Sequence, residues 1–258
     1  MFVVVKSKNI IQITLVIILL VALVTMIGTT GAQAVFSVKS NKKLPVYSVS
    51  TEEKKVALTF DAAWGADKTR GIIELLKKFD ADATFFLVGF WITRYPAETK
   101  YISDCGFEIG NHSNNHLNMS KLNKEDINRE ISTVNTQLRE LTGKTPKFFR
   151  PPFGDYDNKL IECIEALDMV AIQWSVDSLD WKGIQSKEIA QRVLSRVQNG
   201  SIILFHNNSD YILEALPIIL AMLHTKGYKM VSLDEMVATK NFTIDNSGVQ
   251  HINKEIIR

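Results

Sequence analysis

The chain has 258 residues, 46% hydrophobic and 22% charged, enough apolar material for one sizeable core. Its formal net charge is +2, and the only basic doublets are short: Lys42-Lys43, Lys54-Lys55 and Lys77-Lys78. That balance excludes a broad basic face as the organising feature, so nucleic acid is not expected as a partner and the doublets read as solvated surface.

The chain opens with Lys6 and Lys8, followed by an apolar run over 10–27 that only Gln12, Thr14 and Thr25 interrupt. Positive charge before an apolar run is an export signal. Ala32-Gln33-Ala34 offers the small residues a signal peptidase accepts, yet the run is also close to the ~20 residues that span a bilayer. Residues 1–34 are therefore expected to be a signal peptide or an N-terminal membrane anchor. The lysines hold that end in the cytoplasm, and the rest of the chain lies outside, either secreted or anchored to the membrane. Residues 35–55 are polar and basic, with Pro45, and read as a linker containing a possible edge strand at Val46-Tyr47-Ser48-Val49.

From Val56 onward short apolar runs of strand composition alternate with amphipathic stretches. The runs lie at 56–60, 83–88, 107–109, 148–149, 169–172, 201–205 and 229–231. Helical spacing covers 69–79, 124–141 (closed by Gly143), 157–167, 187–197 and 211–226 (closed by Gly227). Seven strands alternating with helices predict an α/β fold, a parallel sheet with helices outside, closing into a barrel one strand short of the eight-stranded kind. The domain is placed at 56–238, and the polar tail 239–258 receives no role. Cys105 and Cys163 are open to a disulfide in an exported domain, or to remaining as two buried thiols.

In a parallel barrel, function gathers where strands end at their C-terminal side. Strand one ends in Asp61, strand three in His112 and His116, strand four in Arg150, strand six in His206, and strand five leads to Asp177-Ser178-Leu179-Asp180-Trp181. On a helical turn, residues four apart share a face, so His112 and His116 can grip one divalent cation such as zinc. An isolated HxxxH pair also arises as a hydrogen-bonded surface pair, Asp61 can cap a helix, Arg150 can be a surface ion pair and Trp181 can be core. Together the strand ends fit metal-assisted hydrolysis of an amide: a carboxylate takes a proton from water and an imidazole protonates the leaving amine.

These residues resemble the polysaccharide deacetylases of carbohydrate esterase family four, the NodB homology domain, from about Lys54 to Val237. Thr59-Phe60-Asp61 is similar to the family's first motif, His112 to His116 to the second, and Arg150-Pro151-Pro152-Phe153-Gly154 to the third. Asp177 to Trp181 is similar to the fourth and Leu204-Phe205-His206 to the fifth. The resemblance implies a distorted seven-stranded (β/α) barrel. It makes Asp61 the general base, Arg150 its holder, His206 the general acid and Asp180 the residue that orients it. His112 and His116 become ligands of a divalent metal, zinc. The Phe153 N–H becomes an oxyanion donor, and Trp181 and Leu204 the walls of an acetyl slot. Trp64 is either part of the substrate groove or a packing residue.

One departure stands out. The family's first motif usually carries a second Asp, its third protein ligand for the metal, where this chain has Ala62. Water, Asp61 or Asp67 would have to fill that place. This form of the motif resembles the branch associated with endospore formation in Gram-positive bacteria. The leading expectation is an extracytoplasmic deacetylase of N-acetylglucosamine or N-acetylmuramic acid in peptidoglycan, acting in sporulation. A catalytically impaired carbohydrate-binding pseudoenzyme and an O-acetyl esterase are the alternatives.

Overall fold

The computed structural model describes residues 14–21 and 42–253. Contacts divide the chain into two units, Met1–Asn41 and Lys42–Arg258. In the first, residues 14–21 are helical with Leu15 to Val21 exposed. Most of the segment expected to direct export lies outside the described residues, and among the described residues no helix is long and apolar enough to cross a membrane.

The second unit is a curled α/β sheet. Its centre is β2 (Lys55–Ala62), an eight-residue strand whose side chains alternate between two faces. Val56, Leu58, Phe60 and Ala62 belong to the larger of the core clusters, shared with residues of helices Thr69–Lys78 and Ile212–Thr225. Phe60 stacks on Phe85 and Phe205 with centroids 5.1 and 5.3 Å apart. Ala57 belongs to a separate, inner cluster with Phe86, Phe148 and Ile202, on the face turned away from those helices, while Thr59 donates to the Ile203 carbonyl. Asp61 follows on that second face, at the strand's end.

Parallel pairing runs from β2 through β3 (Thr84–Leu87), β4 (Glu108–Asn111) and β5 (Phe148–Phe149) to β6 (Val170–Ala171). On its other side β2 pairs with β8 (Ser201–His206), and its first residues pair with β9 (Lys229–Val231). All seven runs picked out by composition are strands of this sheet.

The sheet is curled, and no continuous ladder joins β6 to β8. The gap is bridged in two ways. The chain leaving β6 returns as β7 (Val176–Asp177), which pairs parallel to β8. Nearer the strand starts, Val46 exchanges backbone hydrogen bonds with Ala171 and Gln173, and Val49 donates to Gly200. Val46 and Val49 are buried, because they plug the mouth of the inner cluster rather than flank the sheet as a solvated edge. The polar tail continues this layer as a hairpin of β10 (Phe242–Ile244) and β11 (Val249–Ile252), with β11 parallel to β1 (Ser48–Val49).

The five helices legible from periodicity are present. Lys124–Thr142 shows why: Asn123 caps its start by accepting from the Asp126 N–H at 2.8 Å, and Gly143 at φ +75° ends it in the left-handed region. Two helices without a strong apolar stripe, Gly89–Arg94 and Pro96–Asp104, fill the β3–β4 connection. Cys105 and Cys163 are both free thiols, but only Cys163 is buried; Cys105 is half-buried, so the expectation of two buried thiols holds for one of them.

Candidate active site

Asp61, His112, Arg150, Asp180 and His206 all stand at the C-terminal ends of parallel strands, or just beyond them, and all but Arg150 line one cleft of about 680 Å3. That size suits a sugar or short oligosaccharide. Trp64, Phe153, Trp181 and Leu204 line it too.

The base and acid positions are neighbours in the ladder. In the β2–β8 register Asp61 is the direct partner of His206. Adjacent strands lie ~4.8 Å apart, so both side chains leave the same face at nearly the same height. Arg150 is wholly buried, and its Nη1 donates to Asp61 Oδ1 at 2.7 Å while Nη2 donates to the Gln173 carbonyl at 3.1 Å. Its guanidinium also lies 4.3 Å from the Phe86 ring centroid. Burial alone would push the Asp61 carboxyl up. The charge and hydrogen bond of Arg150, with a contribution from His206, outweigh it and hold Asp61 below the ordinary carboxylate range.

The opposite balance holds at His206. Burial lowers its pKa, but the hydrogen bond and charge of Asp180 reverse that, so His206 titrates above an ordinary histidine. Asp180 is gripped on both oxygens: Oδ1 lies 2.8 Å from His206 Nδ1, and Oδ2 accepts the His206 N–H at 2.8 Å. Its loop is locked in turn by bonds from Asp180 N–H to Ser178 Oγ and from Ser209 Oγ to the Asp180 carbonyl. The surroundings therefore shift the two groups in opposite directions, the carboxyl toward its ionised form and the imidazole toward its protonated form.

The imidazole pair does not sit on a helical turn. β4 stops at Asn111, and the chain then loops with Ser113 at φ +64° and His116 at φ +53°. Asn111 Oδ1 accepts from the Ser113 N–H, and Ser113 Oγ accepts from the His116 N–H. Asn115 is clamped by both oxygens of Glu130, at 2.7 and 2.6 Å. The loop still brings the two rings together, with centroids 4.9 Å apart. Four of the seven non-glycine residues with positive φ among the described residues, Ser113, His116, Phe153 and Leu179, belong to loops of this site. Such concentration of backbone strain is common where a site must be pre-organised.

His112 Nδ1 lies 2.7 Å from the Arg150 carbonyl, an arrangement that leaves Nε2 as the ligating atom in the neutral ring. Burial pushes both rings down, His116 to about 4, so they are neutral and able to ligate. The donors nevertheless fall one short. Asp61 is the third group nearby, with Oδ2 at 3.4 Å from His112 Nε2, but its Oδ1 is committed to Arg150. Asp67 is not among the residues lining the cleft. Ala62 is fully buried in the larger core cluster, with Leu87 and Val88. Among the described residues no group of three His, Cys, Asp or Glu is arranged to hold a metal ion. The residues present do not make the three-ligand site of a catalytic zinc.

Several contributors were not named from sequence. Gln173 supplies a carbonyl to Arg150, Asn207 ties the Trp64 loop to β8, and Glu130 holds the histidine loop. Glu130 had a visible signal: it is a carboxylate inside the apolar stripe of its helix, beside Ile127, Ile131 and Val134.

A curled parallel sheet that sets Asp61, braced from behind by buried Arg150, beside His206, held by Asp180, in one cleft has the layout of an α/β enzyme with an acid–base pair at its strand ends. Residues 48–172 match the polysaccharide deacetylase family model. The chain is 35% identical over 197 residues to a peptidoglycan-N-acetylglucosamine deacetylase of Bacillus cereus, covering 75% of this chain and 72% of that one. It is 33% identical to the Bacillus subtilis protein YlxY, of which it spans 60%. It also resembles the structure of BA3943 from Bacillus anthracis, described as a CE4 family pseudoenzyme, with TM-score 0.73 and 30% identity over 82% of this chain and 73% of that one. A mutant of BA3943 is described as having restored enzymatic activity. The chain belongs to the polysaccharide deacetylase family.

Proposed function

We propose that the chain is an extracytoplasmic hydrolase that removes N-acetyl groups from N-acetylglucosamine or N-acetylmuramic acid in cell-wall peptidoglycan. The observation that carries this reading is the rung that sets Asp61, braced by Arg150, beside His206, held by Asp180, across β2 and β8. A binding module has no need of two such groups tuned in opposite directions. Asp61 takes a proton from water as its oxygen attacks the acetamide carbonyl. The Phe153 N–H is the candidate donor to the oxyanion. His206 then gives its proton to the leaving nitrogen, the C–N bond breaks, and acetate and a free amine result. Lys6, Lys8 and the apolar run after them support export or a membrane anchor, and the form of the first motif supports a role in sporulation. The test is acetate release from peptidoglycan and chito-oligosaccharides with several divalent metals added, and its loss in Asp61→Asn and His206→Ala. No acetate under any of these conditions overturns the reading.

Ala62 favours a second reading, a glycan-binding protein with little turnover, because the metal donors stop at two imidazoles. Under this reading the unaltered chain binds glycan oligomers, releases no acetate with any added metal, and keeps that binding in Asp61→Asn and His206→Ala. If the unaltered chain already binds stoichiometric metal and turns over, the second reading fails. Hydrolysis of aryl acetates without amide hydrolysis would instead point to an O-acetyl esterase.

A further inference from the structure

The aromatic lining continues past the residues that the hydrolytic reading uses. His116 meets Phe153 edge-on at 4.5 Å between centroids, and Trp64 at 5.1 Å on a further contact. Trp64 in turn meets Phe90 at 6.4 Å, tilted by 49°. Trp64 lines the cleft, and Phe90 lies beyond its lining. Both are left in water, Trp64 56% and Phe90 37% exposed. Adjacent large rings held in solvent beside a cleft mark a binding surface.

Neither ring is on a loose segment. One residue after Trp64, the Gly65 carbonyl accepts from two side chains, Trp91 Nε1 at 2.6 Å and Asn207 Nδ2 at 2.9 Å. Gly65 sits at φ +62°, a conformation that fixes the turn presenting Trp64. Phe90 donates its N–H to the Asn114 carbonyl, in the loop that carries both imidazoles. The rings are thus positioned before any ligand arrives, which lowers the ordering cost of binding.

We infer that Trp64 and Phe90 form a preformed subsite for a second sugar of the glycan, next to the one whose acetyl group faces Asp61 and His206. This rests on the glycan reading of the cleft. A β-linked N-acetylglucosamine carries its ring substituents equatorially, so its broad faces are C–H surfaces of slightly positive potential. Those faces lie against the electron-rich faces of indole and phenyl rings, while the hydroxyls stay in water. Phe90 is the diagnostic residue, since it stands outside the cleft in which the acid and base act.

The experiment measures binding of N-acetylglucosamine oligomers of increasing length to the full chain. Affinity rises with length in the unaltered protein. Phe90→Ala cuts that gain roughly three- to tenfold, Phe90→Tyr preserves it, and Phe90→Leu, which keeps apolar bulk without a ring, does not. Retention of the full gain in Phe90→Ala overturns the subsite. So does equal rescue by Leu and Tyr, which would make Phe90 mere packing. No binding of any oligomer by the unaltered chain overturns the glycan reading of the cleft, and the subsite falls with it.

Discussion

Arg150 shows how much one buried side chain can carry. It is fully enclosed, its charge faces Asp61, and its shape is set by Phe86 and the Gln173 carbonyl. Removing one partner of a buried pair strands the other charge, so Arg150→Ala is expected to cost about 3–5 kcal/mol in urea unfolding. Replacing both partners, Asp61→Asn with Arg150→Met, should cost less than Arg150→Ala alone, because no uncompensated carboxylate remains. A second consequence at this scale concerns His206. Its raised pKa means that the folded state holds the proton more tightly than the unfolded chain. The resulting stability is fully present below the unfolded histidine pKa, ~6.5, and is lost as pH rises through the higher folded value. Asp180→Asn should lower the His206 titration midpoint followed by imidazole NMR and flatten that part of the stability–pH curve. An unmoved midpoint would show that Asp180 does not set the charge of His206.

At the scale of elements, the sequence was most legible where periodicity and chemistry agreed. Strands such as β2 and β8 announce themselves by apolar runs, and the residue that ends each run is polar because it meets the cleft. The spacing of His112 and His116 suggests a helical turn, whereas a loop with two left-handed residues brings the rings together. No propensity rule reveals that, since the loop is shaped by partners far away in sequence, Glu130 and helix Gly89–Arg94. The same holds for Arg150, whose partners are Asp61 on β2 and Gln173 in the connection from β6 to β7. Gly89 is where the helix and the histidine loop press closest, its N–H donating to the Ser113 carbonyl at 3.0 Å. A Cβ there would stand 2.2 Å from Asn114 Oδ1 and 3.0 Å from Asn114 Cα. Gly89→Ala is therefore expected to push the loop away, costing roughly 1–3 kcal/mol in stability and weakening glycan binding more than that loss accounts for. Isothermal titration beside urea unfolding checks both parts, and unchanged binding would show that the loop tolerates the shift.

For the whole second unit, the least legible feature is how the curled sheet is finished. Composition marks residues 35–55 and 239–258 as polar and leaves them outside the strand-and-helix alternation. Yet Val46 and Val49 are buried against the inner cluster, and the final hairpin backs them. In both stretches the buried residues are few and scattered, so a search for long apolar runs passes over them. Their role rests on hydrogen bonds: Tyr47 N–H to the Gly248 carbonyl, Ser50 N–H to the Gln250 carbonyl, and the Gln250 side chain to both the N–H and the carbonyl of Ala238. Gln250 is completely buried, so those amide bonds replace water that cannot reach it. Gly248 matters for the same reason, because a Cβ at that position would stand 2.3 Å from Tyr47 Cδ2. Four bonds at about 1 kcal/mol each, offset in part by the freedom the hairpin regains, set the scale of its contribution at roughly 2–4 kcal/mol. Ending the chain at Ala238 should lower the urea midpoint accordingly. It should also speed amide exchange in Val49, and in Gly200 and Ser201 at the start of β8, before it touches β3 or β4, which lie on the far side of β2. Exchange that rises evenly across the sheet would instead mean that the hairpin supports the unit as a whole and does not act through the segment that fills the gap beside β8.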